Sequence, residues 1–256
     1  MARAAFFDLD KTILDTSSNV ALSGPFIEAG LMTRRTAIAS VLVQLPYLLA
    51  GADESRMEQM AEAMGRMGRG WNAAFLESTV EDALERTIEP VCYAQALQRI
   101  AYHKSIGDVV VIASASVEQV VRPIATMLGA DEVLASKAAV DDDGCFTGEV
   151  IHFNQAQGKA DACAQLARTR GWDLSQCSAY SDSVSDAPLL RLVGHPYAVN
   201  PDRALREMAQ REGWPTLTFS STVRVLPHRM PTPAKIAVPF VAGVAVGVAA
   251  CALARR

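Results

Sequence analysis

Cysteine pairs with metal-ligand spacing are missing from this chain of 256 residues. Its five cysteines are scattered without a CxxC motif, and its four histidines are equally dispersed. This spacing argues against a zinc site and against a disulfide framework. It indicates reduced thiols in a cytosolic setting. The residues concerned are Cys92, Cys145, Cys163, Cys177, Cys251, His103, His152, His195 and His228.

An excess of positive charge is missing as well. The chain has 24 basic and 28 acidic residues, a formal net charge of −4, so it lacks the electrostatic footprint of a nucleic-acid-binding protein. A signal peptide is not predicted, because the first apolar run, 4–7, ends at Asp8 after four residues. No internal repeat is visible. With half of its residues hydrophobic, the chain can form a sizeable core in one large or two modest domains.

The chain does have an apolar run that is followed at once by two acids. Residues 4–7, Ala-Ala-Phe-Phe, predict a buried strand, and Asp8 and Asp10 follow it at a spacing of i and i+2. Open α/β sheets bind their ligands at the carboxyl ends of their strands. Two carboxylates this close repel each other, so a site that holds both needs a cation or a proton between them. Taken alone, the run is equally typical of a strand followed by an acidic turn.

Three further segments carry related chemistry. The β-branched run 109–113 is followed by the hydroxyl of Ser114. Lys159 stands in the first turn of a predicted helix, where a cation opposes the helix dipole. A short predicted strand is followed by two more acids, Asp182 and Asp186. Each segment is a weak signal by itself, but the four in this order form a specific combination.

With these four motifs the chain resembles the haloacid dehalogenase (HAD) superfamily of hydrolases, type IB, which is the phosphoserine-phosphatase-like subgroup. Residues 8–12, DLDKT, match the first motif of that superfamily, DxDx[TV], and Ser114 matches the second. Lys159 matches the third, and residues 181–186 match the fourth, which is usually GDxxxD. The resemblance covers residues 3–219. It implies a Mg²⁺-dependent phosphoric monoester hydrolase, and a phosphorylated small molecule as its partner.

The order of the predicted elements favours an α/β fold with a Rossmann-like, doubly wound parallel sheet. Strand-like and helical patterns alternate over most of the chain, and the acidic turn 141–144 between two apolar stretches indicates a hairpin. The predicted strands cover 4–8, 109–113, 132–135, 178–181, 197–199 and 216–219. The predicted helices between them cover 91–104, 117–128, 159–170, 186–193 and 202–211.

Between the first two motifs the pattern is almost wholly helical, which predicts a separate cap of about four helices. The resemblance implies the same cap, and such a cap can close over the site and exclude water. The alternative is a helical bundle with a purely structural role. We therefore predict a HAD-like core of 1–15 and 90–219, a helical cap of 16–89, a linker of 220–235 and a C-terminal apolar helix of 236–254.

The C-terminal segment 236–254 has 19 residues without a charge, just enough to cross a bilayer as a helix. Gly243 and Gly247 form a GxxxG pair, which is common in close-packed membrane helices. We therefore expect a cytoplasmic catalytic domain that this helix anchors to the membrane. A buried C-terminal helix or a disordered, alanine-rich tail is the alternative. Basic residues on both sides leave the orientation open.

The resemblance implies a role for each motif residue. Asp8 is the expected nucleophile that forms an aspartyl-phosphate, and Asp10 is the expected general acid and base. Asp8, the backbone carbonyl of Asp10 and Asp182 are the expected Mg²⁺ ligands. Asp186 is expected to hold metal-bound waters or to orient Lys159. The residues expected at the phosphate are Ser114, Lys159 and Thr12, the last by steadying the first loop.

The sequence defines the substrate less well. Phosphoserine phosphatases usually carry a Glu after the first motif that contacts the substrate amine, and Ser17 stands near that position here. Asp15 and Glu28 are weak candidates to replace it. The usual glycines of the second and fourth motifs are replaced by Ala115 and Ser181. These changes preserve phosphoryl chemistry and weaken the assignment to phosphoserine.

Three alternative functions stay open at this point. The apolar cap segment 37–49, together with the tail helix, favours a membrane-tethered phosphatase acting on a lipid phosphate such as phosphatidylglycerophosphate or lysophosphatidate. A phosphotransferase that passes the phosphoryl group to a second alcohol is the next. A non-catalytic membrane scaffold is the third, but no motif acid is missing, as such a role would predict.

A stripe of methionines at helical spacing also falls in the predicted cap. Such a stripe is most typical of core packing, and a pliable wall for an acyl chain is the second interpretation. The stripe consists of Met57, Met60, Met64 and Met67.

Overall fold

The computed structural model describes residues 3–36 and 54–223 of the chain. The predicted tail helix 236–254, the linker residues 224–235 and the cap segment 37–49 lie outside these residues, as do the side chains of Met57 and Met60. The predictions made for them therefore stay predictions. Within the two described ranges, no helix combines the length and the apolar character needed to cross a membrane.

The described strands form one seven-stranded sheet. They are β1 Ala4–Phe7, β2 Val109–Val117, β3 Glu132–Val140, β4 Phe146–His152, β5 Ser178–Ser181, β6 His195–Val199 and β7 Thr216–Leu217. Their order is β4-β3-β2-β1-β5-β6-β7. All neighbours are parallel except β3 and β4, which form an antiparallel hairpin. The predicted doubly wound sheet and the predicted hairpin at 141–144 are both confirmed.

The two central strands are buried on both faces of the sheet. All four residues of β1 are buried, and so are residues 110–114 of β2. Parallel strands with helices on both sides require continuous apolar runs, which residues 4–7 and 109–113 supply. Alternate residues of β1 enter opposite halves of the core, Phe7 on one side and Phe6 on the other.

Helices cover both faces of the sheet. They are α1 Ser18–Ala21, α2 Ser23–Glu28, α3 Glu54–Gly68, α4 Ala73–Ala83, α5 Ala94–Ser105, α6 Glu118–Met127, α7 Ala156–Arg170, α8 Ala187–Leu192 and α9 Arg203–Glu212. Helices α5 and α6 pack on the Phe7 side, and α7, α8 and α9 pack on the Phe6 side. Helix α7 begins at Ala156, earlier than predicted, and ends at Arg170. It is capped by Gly171, whose φ of 69° suits a glycine.

Two strands on the hairpin side of the sheet, β2 and β3, are longer than predicted. Strand β3 continues beyond residue 135 because its second half pairs with β4 instead of β2. Strand β2 continues to Val117, but its pairing with β3 shifts register between Ala113 and Val117. Ser114 therefore lies where the regular parallel ladder ends, although the strand itself continues.

Between β1 and α5, the described residues form helices α1 to α4 and a short irregular helical stretch, 84–91. Helix α3 packs closely on the hairpin, because a Cβ atom on Gly65 would lie 2.1 Å from the carbonyl oxygen of Gly148. The backbone that follows α3 is also bonded to β4: Gly70 N–H donates to the Phe146 carbonyl at 2.8 Å, and Phe146 N–H donates to the Trp71 carbonyl at 2.9 Å. The division into core and cap at residues 15 and 90 stays a prediction.

Candidate active site

The segments that follow β1, β2 and β5 meet the first turns of α7 at one edge of the sheet. This edge contains the carboxyl ends of the parallel strands, where doubly wound sheets bind ligands. Asp8 continues β1 alongside β5, since its N–H donates to the Tyr180 carbonyl at 2.9 Å. The structure thus brings the predicted acids of the first and fourth motifs to one place.

The ammonium group of Lys159 joins two of these acids. Its Nζ donates to Asp8 Oδ1 at 2.8 Å and to Asp186 Oδ2 at 2.7 Å. The Lys159 side chain is only 2% exposed. A buried charge is destabilising unless it is paired and hydrogen-bonded, and these two carboxylates provide that pairing. Lys159 and Asp186 therefore form a fixed positive and negative pair beside Asp8.

The carboxylate of Asp10 is held by two serines that the sequence did not single out for this site. Ser18 N–H donates to Asp10 Oδ1 at 2.7 Å, and Ser116 Oγ donates to Asp10 Oδ2 at 3.4 Å. The two hydroxyls also lie 3.1 Å apart, within hydrogen-bond distance of each other. Ser18 is the first residue of α1, where free backbone N–H groups favour a carboxylate. Both oxygens of Asp10 are thus oriented by protein donors.

Asp182 and Thr12 connect the first motif to the fourth. The Thr12 hydroxyl donates to Asp182 Oδ1 at 3.3 Å. The carbonyl of Asp182 accepts a bond of 2.8 Å from Asp202 N–H. The side chain of Asp202 in turn accepts from Val184 N–H at 3.0 Å. Thr12 therefore acts in the structure as a clamp between two loops, which is consistent with the steadying role that was expected.

Asp186 is held on one oxygen and left free on the other. Its Oδ2 accepts from Lys159 and, at 2.8 Å, from the Ser181 hydroxyl. Its Oδ1 is buried and has no hydrogen-bond partner among the described residues. Asp186 lies at the N-cap position of α8 but makes no side-chain cap bond there. Capping of α8 is therefore not what holds this carboxylate in place.

Ser114 is buried beside the same loops. Its Oγ accepts from Ser116 N–H at 3.1 Å. Its carbonyl accepts from Asn154 Nδ2 at 3.0 Å, and the same amide group donates to the Leu134 carbonyl at 2.9 Å. Asn154 is completely buried. It therefore connects the end of the regular β2 ladder to β3, just before α7 begins. No motif in the sequence marks it for this role.

Burial dominates the protonation behaviour of the acids. It raises the pKa of Asp8 to about 7, against the opposing charge of Lys159 and with a further increase from Asp186. Burial also raises the pKa of Asp182 well above its ordinary value, and the charges of Asp8 and Asp186 add to the shift. A low dielectric and like charges both disfavour ionised carboxylates. Full ionisation near neutral pH therefore requires further positive charge.

Asp10 and Lys159 differ in what decides their charge. Burial raises the pKa of Asp10, and the hydrogen bonds from Ser18 oppose the shift. Burial disfavours the charged form of Lys159, but Asp186 and Asp8 outweigh this effect and raise its pKa. The lysine is thus permanently charged, whereas Asp10 is suited to holding a proton.

The donor set fits a magnesium ion. Among the described residues, the site has four carboxyl groups and only one buried ammonium, that of Lys159. The carboxyl groups are those of Asp8, Asp10, Asp182 and Asp186. Over the ranges 3–36 and 54–223, no three acidic, histidine or cysteine side chains converge into a metal cage. Mg²⁺ requires no such cage, because it keeps several waters and uses one or two carboxylates with other oxygens. The unpartnered Oδ1 of Asp186 is available to such a water.

Comparison with known proteins identifies the family. The family model described as haloacid dehalogenase-like hydrolase matches residues 5–191. The chain therefore belongs to the haloacid dehalogenase-like hydrolase family, which confirms the family predicted from the four motifs.

Several curated relatives align over most of the chain. A protein of Streptomyces azureus named for inhibition of morphological differentiation is 46% identical over 228 residues, covering 89% of this chain and 82% of the relative. A probable phosphatase of Mycobacterium tuberculosis is 45% identical over 249 residues, covering 97% of this chain and 85% of the relative. A protein of the same organism named phosphoserine phosphatase is 31% identical over 226 residues, covering 86% of this chain and 71% of the relative.

Solved structures show the same fold. A Bordetella pertussis protein of unknown function has a TM-score of 0.73 and 28% identity, and the match covers 85% of this chain and 98% of that one. A phosphoserine phosphatase solved as an analogue of its phospho-aspartyl intermediate has a TM-score of 0.63 and 18% identity. The match covers 86% of this chain and 94% of that one. At that identity the second structure supports the fold alone.

Proposed function

We propose that this protein is a Mg²⁺-dependent phosphomonoester hydrolase that acts through an aspartyl-phosphate on Asp8. The observation that carries the proposal is the arrangement around Lys159, whose Nζ lies 2.8 Å from Asp8 Oδ1 and 2.7 Å from Asp186 Oδ2. A buried nucleophilic carboxylate beside a fixed ammonium is what phosphoryl transfer to an aspartate needs, because negative charge must be brought to a negative group. The names of the curated relatives support the same activity class.

Asp8 attacks the phosphorus atom of the substrate in this proposal. One of its oxygens is engaged by Lys159, and Asp8 Oδ2 forms no hydrogen bond within the described residues. Oδ2 is therefore the oxygen placed to form the new P–O bond while the ester P–O bond breaks. The ammonium of Lys159 opposes the rise that burial causes in the pKa of Asp8, and it then faces the phosphoryl oxygens as charge accumulates there.

Asp10 acts as the general acid and then as the general base in this proposal. Burial raises the pKa of its carboxyl group, which favours the protonated form, and Asp10 gives this proton to the leaving alkoxide as the ester bond breaks. As a carboxylate it then accepts a proton from the water that hydrolyses the aspartyl-phosphate. Ser18 and Ser116 fix the direction of the carboxyl group during both transfers.

The remaining polar groups bind the phosphate and the metal. The Ser114 hydroxyl and the Lys159 ammonium are the proposed phosphate ligands, and Thr12 positions Asp182 through their hydrogen bond. Mg²⁺ would be held by Asp8, the Asp10 carbonyl and Asp182, and it would supply positive charge to the phosphoryl oxygens. These assignments rest on the motif positions and the donor set described above.

The proposal is tested by phosphate release from a panel of phosphomonoesters, with Mg²⁺ and with EDTA. We expect turnover that requires Mg²⁺ and that falls by at least about a thousandfold in Asp8→Asn, because the nucleophile is lost. The matched control is Asp142→Asn, an exposed aspartate in the hairpin turn, which should retain full activity. Mass spectrometry of acid-quenched protein should find the phosphoryl group on the peptide that contains Asp8. Turnover that persists in Asp8→Asn would refute the proposal.

A further inference from the structure

An apolar cavity of about 120 Å³ lies between the helices that follow β1 and the β3–β4 hairpin. Its walls come from α2, α3 and α4 on one side and from β3 and β4 on the other. They include Phe26, Met64, Trp71, Leu76, Phe146 and Val150. The cavity is comparable in size to one of about 150 Å³ that accepts benzene in another protein. A group of about six carbon atoms would therefore fill it.

The cavity offers almost no charge to a ligand. Among the described residues that line it, Lys137 is the one charged residue, and its side chain is exposed. No carboxylate is among the lining residues that the structure describes. Ser17, which stands where phosphoserine phosphatases carry a Glu, has its hydroxyl engaged as the α1 cap, accepting from Val20 N–H at 3.3 Å. An ammonium group placed here would be desolvated without a partner, which is unfavourable.

The cavity lies on the Asp10 side of the active site. Asn19 and Val117 line it, and their chain neighbours Ser18 and Ser116 are the residues that bond the Asp10 carboxyl group. In the proposed reaction Asp10 protonates the leaving oxygen. The alcohol half of the substrate must therefore extend from the phosphorus atom toward Asp10, whose two serine partners adjoin lining residues of the cavity in the chain.

We propose that the cavity binds an uncharged, apolar group on the alcohol half of the substrate, such as an aryl ring or an alkyl chain of about six carbons. This inference rests on the proposed phosphomonoesterase function and deepens it by naming the substrate class. Phosphoserine, with an ammonium and a carboxylate at this position, is a poor substrate in this proposal.

The first test is a series of alkyl monophosphates from ethyl to hexyl, compared with phenyl phosphate and phosphoserine. We expect kcat/KM to rise about fourfold with each added methylene until the cavity is filled, the ratio that burial of one methylene predicts. Phenyl phosphate should have a kcat/KM close to that of the longer alkyl esters. Phosphoserine should have a kcat/KM below that of ethyl phosphate. Equal kcat/KM along the series, or a preference for phosphoserine, would overturn the inference.

Two variants of α3 change the cavity in opposite directions. Ala63→Leu fills part of it and should move the optimum to a shorter chain, whereas Met64→Ala enlarges it and should move the optimum to a longer chain. Ala61→Leu, on the same helix but outside the cavity lining, should leave the optimum unchanged. Because the two shifts have opposite signs, a general loss of stability in one variant cannot imitate the result.

A binding measurement separates failure of this inference from failure of the proposed function. Trp71 lines the cavity, so hexylphosphonate, which cannot be hydrolysed, should change the tryptophan emission of the wild type but not of Trp71→Phe. Binding without turnover of any ester would refute the proposed function and support the cavity assignment. Turnover without chain-length preference and without a Trp71 response would refute the cavity assignment and leave the proposed function standing.

Discussion

Ser181 donates a hydrogen bond of 2.8 Å to Asp186 Oδ2 at the position where the fourth motif usually has glycine. Both side chains are buried. The same carboxylate oxygen accepts from Lys159, so Ser181 helps to fix the group that in turn holds the lysine. The unusual serine therefore belongs to the charged cluster rather than to the packing of the sheet.

Replacing this serine tests its contribution. In Ser181→Ala we expect the free energy of unfolding to fall by about 2 kcal/mol, because a buried hydrogen bond to a charged group is lost. We expect kcat to fall by about tenfold, because a group that orients an active-site residue is lost. Urea denaturation and phosphate release measure the two effects. The control is Ser175→Ala, which removes an exposed serine bonded to Asp173 and should change neither quantity appreciably.

The Lys159 ammonium should be essential for folding stability as well as for turnover. In Lys159→Met, Asp8 and Asp186 are left without compensation, which we expect to lower the free energy of unfolding by about 3–5 kcal/mol at pH 8. The double variant Lys159→Met/Asp8→Asn should recover part of this loss, because one of the two repelling charges is gone. Stability of the single variant should also improve toward pH 5.5. Equal stability of the variant and the wild type at pH 8 would show that the cluster is not a significant charge pair.

Metal-free wild-type protein should show a related pH dependence. The pKa of Asp8 is raised from 3.8 to about 7 in the folded state, so between these values the folded protein binds more protons than the unfolded chain. Its contribution to stability is thus fully present at low pH and is lost as the pH rises to about 7. Mg²⁺ competes with that proton, so it should raise the melting temperature more at pH 8 than at pH 5.5. Thermal melts with Mg²⁺ and with EDTA check this, and Asp8→Asn should show a weaker dependence on pH.

The sequence allowed prediction of those site residues that stand at strand ends. Asp8 and Asp182 follow β1 and β5, and Ser114 follows the apolar run 109–113 within β2, so their place near the carboxyl edge of the sheet follows from local pattern and fold class. Ser18 and Asn154 could not be predicted in this way. Ser18 binds Asp10 through its backbone N–H, which any residue type carries, and Asn154 acts between two strands that meet only in the folded protein.

The apolar cavity also could not be predicted from the local sequence pattern. It forms because α3 packs on β4, and these elements are far apart in the chain. The methionine spacing predicted an apolar helix face, but not whether a neighbouring surface would cover it completely. Met64 and Met67 both line the cavity, so the interpretation of this stripe as a pliable wall gains support for these two residues.

The serines around Asp10 should affect catalysis according to the leaving group. Ser116→Ala removes a hydrogen bond that lowers the pKa of Asp10, so the pKa of Asp10 should rise. The basic limb of the kcat/KM profile, where the general acid loses its proton, should therefore move to higher pH. We expect kcat/KM for an alkyl phosphate to fall by about tenfold, less than the hundredfold or more that loss of a general acid itself typically costs, because Asp10 is still present. 4-Nitrophenyl phosphate, whose leaving group needs little protonation, should be much less affected. An equal loss on both substrates would contradict a role for Ser116 in orienting the acid.

Two glycines of α3 provide a matched test of how tightly this helix closes the cavity. A Cβ on Gly65 would lie 2.1 Å from the Gly148 carbonyl oxygen, whereas a Cβ on Gly68 would lie 4.0 Å from Phe146 Cδ2. Gly65→Ala must displace α3 from the hairpin, and we expect a loss of about 1–3 kcal/mol in the free energy of unfolding. Gly68→Ala should be neutral or stabilising by less than about 1 kcal/mol.

The same displacement should alter selectivity, since α3 and the hairpin form opposite walls of the cavity. Gly65→Ala should therefore weaken the preference for hexyl over ethyl phosphate, while Gly68→Ala should preserve it. Denaturation curves measure the free energy of unfolding of each variant, and the ratio of its two kcat/KM values measures its preference for hexyl over ethyl phosphate. Equal stability of the two alanine variants would mean that α3 can move away from β4 without loss, and the cavity would then be too loosely closed to select a chain length.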